Sequence, residues 1–191
     1  MAVNIVNVKC TAKQVAKWLI ERAASETKNG GEYLTQLKLQ KLLYYAKGFF
    51  YVFENEPLFD DELKAQQYGP VVQSIVSDVK KYHSDPIKEE FVDIEPIKDK
   101  SIITFLEFIY KNIASFYDTK KLVDLTHAEK PWQSTPKGQI IKENLIRDFF
   151  RGTYLGEDET NWIISRDNLL SAMTYHNVKK YEKAYKVLSK C

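Results

Sequence analysis

The sequence predicts a mainly α-helical protein: a compact helical domain with a minor two-stranded β element and a C-terminal helix. Three observations carry that prediction. Only 7 Gly and 6 Pro interrupt the chain of 191 residues, so long stretches run without a backbone breaker. Apolar residues recur at helical spacing through most of those stretches. Hydrophobic residues make up 44% of the chain and charged residues 28%, a balance that can bury a core and that argues against disorder.

The first helix is expected from Thr11. Thr11 and Gln14 have capping-box spacing, in which each side chain satisfies an amide of the first turn. Val15, Trp18, Leu19 and Ala23 then share a face, and Asn29-Gly30-Gly31 closes the unit as a turn. LTQLKLQKLLYYAKGFF (residues 34–50) reads as the second helix, capped by Thr35 and stopping before Pro57. At 100° per residue, Leu39, Leu42, Leu43, Ala46, Phe49, Phe50 and Phe53 form one core face. Lys38, Lys41, Tyr45 and Gly48 fall on the other side, with Gln40 and Tyr44 at its edge.

Residues 62–68 read as a short extended segment ended by Tyr68-Gly69-Pro70. A helix is expected over 70–82, burying Val72, Ile75, Val76 and Val79, since Pro is tolerated in a first turn. Phe91, Val92 and Ile94 would form a second extended piece that pairs with the first. Residues 99–118 form a helix whose apolar residues nearly encircle it, which predicts a central position. Asp118 or Thr119 caps the next helix, and Pro131 breaks it. Residues 138–150 are amphipathic, with Ile141, Leu145 and Phe149 aligned. From Gly152 the chain turns acidic and turn-rich, so the division expected is a helical domain over 1–151 and a C-terminal loop and helix over 152–191. Val178, Tyr181, Tyr185 and Leu188 would form the stripe of that last helix.

Function is constrained mostly by exclusion. With 28 Lys and Arg against 26 Asp and Glu, the chain is nearly neutral, unlike domains whose main work is gripping a phosphate backbone. Cys10 and Cys191 form neither a disulfide framework nor a zinc pattern. No apolar run reaches the roughly 18 residues that span a bilayer, so a cytoplasmic protein is expected. No nucleophile elbow, zinc-protease, phosphate-loop or dinucleotide fingerprint occurs, and neither catalysis, a cofactor nor a metal is expected. His127 and Glu129 in THAEKPW could serve as acid and base, but residues two apart on a helix face different ways. The plainer reading has His127 bonding a neighbouring segment and Trp132 anchoring the next turn; His83 and His176 read as surface residues.

The second helix poses the sharper question. Lys38, Lys41 and Lys47 could contact phosphates in a DNA reader. Exposed Tyr beside Lys, over a small Gly, looks more like a protein-docking patch. Gly48 could equally let another helix of the same domain approach closely.

Three stretches together resemble the Panacea antitoxin domain family, also described as SocA-like or GepA-like phage-associated proteins. They are LTQLKLQKLLYYAKGF (34–49), AQQYGPVV (65–72) and LVDLTHAEKPW (122–132), in the family's order and spacing. The family's pattern falls on Leu37, Lys38, Leu39, Gln40, Lys41, Leu42, Tyr44, Tyr45, Ala46 and Gly48. It continues on Tyr68, Gly69, Pro70 and Val71, then on Leu125, Thr126, His127, Glu129, Pro131 and Trp132. This chain has Lys47-Gly48-Phe49 where the family often has Gln-Gly-Trp, and Gln66 where it often has Trp. The resemblance implies a mostly helical, non-enzymatic antitoxin of a toxin–antitoxin pair, acting by direct binding of a protein toxin. On that basis Lys38, Lys41, Tyr44, Tyr45, Gly48, Tyr68, Gly69 and Pro70 are the expected partner-binding residues. Thr126, His127, Glu129, Pro131 and Trp132 are expected to be structural or interfacial. An adaptor that delivers a partner to a protease is the alternative, with a DNA-binding regulator behind it.

Overall fold

A computed structural model describes residues 9–155. The helix expected at 165–188, His176 and Cys191 lie outside the described residues.

The architecture is mainly α. In chain order the elements are α1 (Ala12–Glu26), β1 (Leu34–Thr35), α2 (Gln36–Glu54), β2 (Leu63–Gln66), β3 (Gly69–Val72), α3 (Gln73–Val79), β4 (Pro86–Ile87), α4 (Lys100–Ile109), α5 (Thr119–Ala128), α6 (Lys130–Gln133) and α7 (Glu143–Leu155). The local start signals work as the sequence predicts. Thr11 and Gln14 form the capping box of α1. Thr35 accepts from the Lys38 amide at the start of α2, and Asp118 from the Lys121 amide at 2.7 Å ahead of α5. His83 lies on the surface, as expected.

The centre of the molecule is α2. Every residue from Leu39 to Val52 is buried, and α1, α4, α5, α7 and β3 pack around it. The sequence reading placed the central helix at 99–118 and gave α2 a single core face; both expectations are corrected. Regular helix in that segment stops at Ile109, a π-helical turn covers Tyr110–Ala114, and Phe116 is left 77% exposed. The continuous burial of α2 was hidden because six of its buried residues are Gln, Lys or Tyr, which periodicity counts as outward-facing.

The β structure also differs from expectation. β2 pairs antiparallel with β3 across the Gln67-Tyr68 turn, with Leu63 opposite Val72 and Gln66 opposite Gly69. Residues 70–72 are therefore strand, and the helix after them begins at Gln73. Phe91, Val92 and Ile94 are not a strand; Phe91 instead sits at φ 60 in a turn. The second small sheet joins β1 to β4. The other edge of β2 meets residues 138–141, where the Ile141 amide donates to the Leu63 carbonyl at 2.8 Å and the Ala65 amide to the Gln139 carbonyl at 2.9 Å. Ile141 is thus buried by this extended pairing, before α7 begins. Counting α7 from Ile141 mis-phased its stripe: the fully buried residues are Ile146, Phe150 and Tyr154, with Leu145 and Phe149 only partly covered.

Helix α7 lies against α2 through an aromatic seam. The rings of Phe49 and Phe150 meet edge to face at 5.3 Å, and those of Tyr44 and Phe150 at 5.4 Å. Gly48 makes the approach possible, because a Cβ there would clash with three carbons on the edge of the Phe150 ring. Overpacking of this kind costs roughly 1–3 kcal/mol. Gly48→Ala should lower urea-unfolding stability by about that amount, and Phe150→Leu in the same chain should recover part of the loss. A Gly48→Ala chain as stable as wild type would contradict this packing.

Candidate functional site

The three motif stretches converge on one place: the polar side of α2. Tyr44 and Tyr45 point toward the end of α5 and donate their hydroxyls to the two carboxylate oxygens of Glu129, at 2.6 and 2.9 Å. Glu129 is 6% exposed. It stands between α5 and the short α6, whose second residue is Pro131, and its own extended backbone makes the bend between the two helices.

One turn earlier on α2, Gln40 and Lys41 face β3. The Gln40 side-chain carbonyl accepts from the Val72 amide at 2.7 Å, and the Lys41 ammonium donates to the Pro70 carbonyl at 3.3 Å. These strand groups lie on the side of β3 away from β2. Two helix side chains therefore finish the edge of a strand that has no further strand beside it. Gly69 fits this junction on two counts. Its φ is +99°, and a Cβ would collide with the Lys41 ammonium and the Thr126 hydroxyl. Trp132 fastens the remaining motif: its ring N–H donates to the Gln66 carbonyl at 2.9 Å, and it stacks on His127 with ring centroids 4.1 Å apart.

Further along α2, Lys47 is fully buried. Its ammonium donates to the Asp61 carbonyl at 3.0 Å, pairs with Glu143 at 3.0 Å and sits over the Phe59 ring. Tyr51 also bonds Glu143, and Arg151 donates to the Tyr51 carbonyl at 2.9 Å. α7 is thereby tied to α2 by charge as well as by aromatic packing.

Burial dominates the electrostatics. It pushes the Glu129 carboxyl up to about 7, against the opposing pull of the two tyrosine hydroxyls and the Lys41 charge. It pulls the Lys41 ammonium down to about 7, with Glu129 opposing. The Tyr44 and Tyr45 hydroxyls are raised well above their ordinary value by burial first and by Glu129 second, so both stay protonated and donate.

These positions correct the expectation of an exposed polar-aromatic face. Lys41, Tyr44, Tyr45, Gly48, Gly69 and Pro70 are interior, because the strand edge and Glu129 need partners that only α2 supplies. Lys38 is half-buried, and Tyr68, at the hairpin turn, is 57% exposed. Lys41 and Lys47, offered as phosphate contacts for a DNA reader, have no exposed surface. His127 and Glu129 do not act on a common point: one stacks on Trp132, the other is gripped by α2. The expected hydrogen bond from His127 to a neighbouring segment is replaced by that stack, and its Nε2 has no partner among the described residues. Among the described residues no cluster of His, Cys, Asp and Glu could hold a metal ion, and no helix is long and apolar enough to cross a membrane.

Fold and site together define a helical domain in which buried polar residues of α2 hold a hairpin and a helix end onto one central helix. Residues 39–133 match the family model described as Antitoxin SocA-like, Panacea domain, and this part of the chain belongs to that family. The match opens with the buried run of α2 and closes with α6, taking in the second and third motifs whole and the first from Leu39 onward. α1 and α7, which pack on α2 from outside it, are not covered. No curated protein and no solved structure matches the chain.

The shifted groups give stability a predicted pH dependence. Between pH 4.5 and about 7, the unfolded chain releases a proton that folded Glu129 keeps, so its contribution to stability falls as pH rises. Between about 7 and 10.5, the unfolded chain holds a proton that folded Lys41 lacks, so stability rises with pH. The slope from either group is at most about 1.4 kcal/mol per pH unit. Urea unfolding at pH 5, 7 and 9 should show the fall disappear in Glu129→Gln and the rise disappear in Lys41→Met. Unchanged profiles in both variants would refute the assignment.

Proposed function

We propose that this protein is an antitoxin that neutralises a cognate protein toxin by direct, stoichiometric binding. The observation that carries the reading is the family match over residues 39–133 to a domain described as an antitoxin. The site geometry agrees with it in kind. The motif side chains bond to one another in the interior rather than converging on an open reactive centre. Binding to a toxin would then use the surface that this interior holds in shape, including Tyr68 on the hairpin turn. Lys38, at the edge of the same helix, is the other expected contact that retains exposed surface.

Co-expression tests the reading. The protein encoded beside this chain's gene is induced alone and together with it. Growth arrest by the neighbour alone, relieved by the full chain and accompanied by a co-purifying complex, is the expected result. A neighbour that is harmless alone, or that arrests growth equally with this chain present, would overturn the proposal.

A further inference from the structure

Beside the hairpin lies a cleft of about 700 Å³, bounded by the start of α2, the β2–β3 turn, the first half of α3 and the turn at His83-Ser84. We infer that this cleft holds an extended segment of the toxin, uncharged along the cleft and carrying a carboxylate where it leaves past His83. The inference rests on the antitoxin reading and names the surface that reading would use.

The lining decides the chemistry. It contains no Asp, Glu, Lys or Arg, although 28% of the chain is charged. Gln36, Gln40, Gln66, Gln67 and Gln73 line it instead. Each primary amide can donate and accept, which matches the alternating carbonyl and amide groups of an extended backbone. A charged segment laid along this lining would lose hydration without gaining a counter-charge.

Gln40 adds an unmet demand. It is 1% exposed, its carbonyl is committed to Val72, and its Nε2 has no partner among the described residues. A buried amide donor left without an acceptor is rare, and a peptide carbonyl is the acceptor an occupant would bring. Tyr68 stands at the rim, 57% exposed, and Val71 and Val76 also line the cleft. Aromatic side chains over small apolar patches are the usual anchors of a protein interface.

The far end gives the direction. His83 is exposed and sits at φ 49 and ψ −113, a strained backbone for a non-glycine residue and of the kind that gathers at ligand sites. It lines both this cleft and an adjoining hollow with Lys80 and Lys81. Lys81 is paired with Glu90 at 2.8 Å, whereas Lys80 is exposed and has no acidic partner among the described residues. An uncharged cleft ending at an unpaired ammonium fits a segment that ends at a carboxylate.

The test measures the dissociation constant between the full chain and the protein encoded by the adjoining gene. The variants are Tyr68→Ala, Gln73→Glu and Lys80→Glu, all at exposed positions, with Phe116→Ala as a distant control and equal melting temperatures as proof of folding. Tyr68→Ala and Gln73→Glu should each weaken binding about tenfold or more, as expected for an anchor and for a charge placed in a neutral cleft. Lys80→Glu should weaken it about tenfold at low salt and by much less at high salt, as a screened charge contact does. Phe116→Ala should leave binding unchanged. A neighbour that binds the wild type and all three cleft variants equally overturns the cleft while leaving the antitoxin reading intact. A neighbour that does not bind the wild type overturns both.

Discussion

Glu129 is a carboxylate with 6% of its surface exposed in the middle of a helical domain. Such a group must either lose its charge or find donors, because an unpaired buried charge is far more costly than a paired one. It finds them in Tyr44 and Tyr45, adjacent residues of the central helix, one hydroxyl for each oxygen. That clamp fixes the end of α5 against α2 and sets where Pro131 and Trp132 emerge. Trp132 in turn holds the hairpin by the Gln66 carbonyl.

The same logic explains the rest of the polar side of α2. A two-residue turn makes a hairpin cheaply, but leaves one strand edge unpaired. Gln40 and Lys41 accept and donate there in place of a neighbouring strand. Lys47 bridges to Asp61 and to Glu143 of α7. A helix whose polar residues were replaced by apolar ones of like size would still bury well, but would leave the Val72 amide, the Pro70 carbonyl and Glu129 stranded. Each such group costs about 1–3 kcal/mol. The matched family stretch begins where the buried run of α2 begins.

How much of this was legible in the residues follows from what each signal measures. Caps at Thr11, Thr35 and Asp118 are local, a side chain meeting an amide three residues on, and they form where the residues predict. The mainly α class was equally plain, since breakers are scarce. Periodicity failed on α2 because it treats Lys41, Lys47 and Tyr45 as solvent-facing, and nothing local shows that Glu129 lies 84 positions away from Tyr45 in sequence but in contact in space. It failed on α7 because Ile141 is buried by strand pairing and not by the helix. The pairing of β2 with β3, not with residues 91–94, turns on the Gln67-Tyr68 turn and on Gly69 at positive φ. The cleft was invisible, since it is made by elements whose relative placement the sequence does not state.

If the polar side of α2 holds the domain together, its parts are energetically coupled. A double-mutant cycle on Tyr44→Phe and Glu129→Gln, measured by urea unfolding at pH 7, tests this most directly. The account predicts that the two changes together cost less than their sum by about 1 kcal/mol or more, the range found for contacting residues in one hydrogen-bond network. Additive losses, with no coupling between hydroxyl and carboxylate, would contradict it.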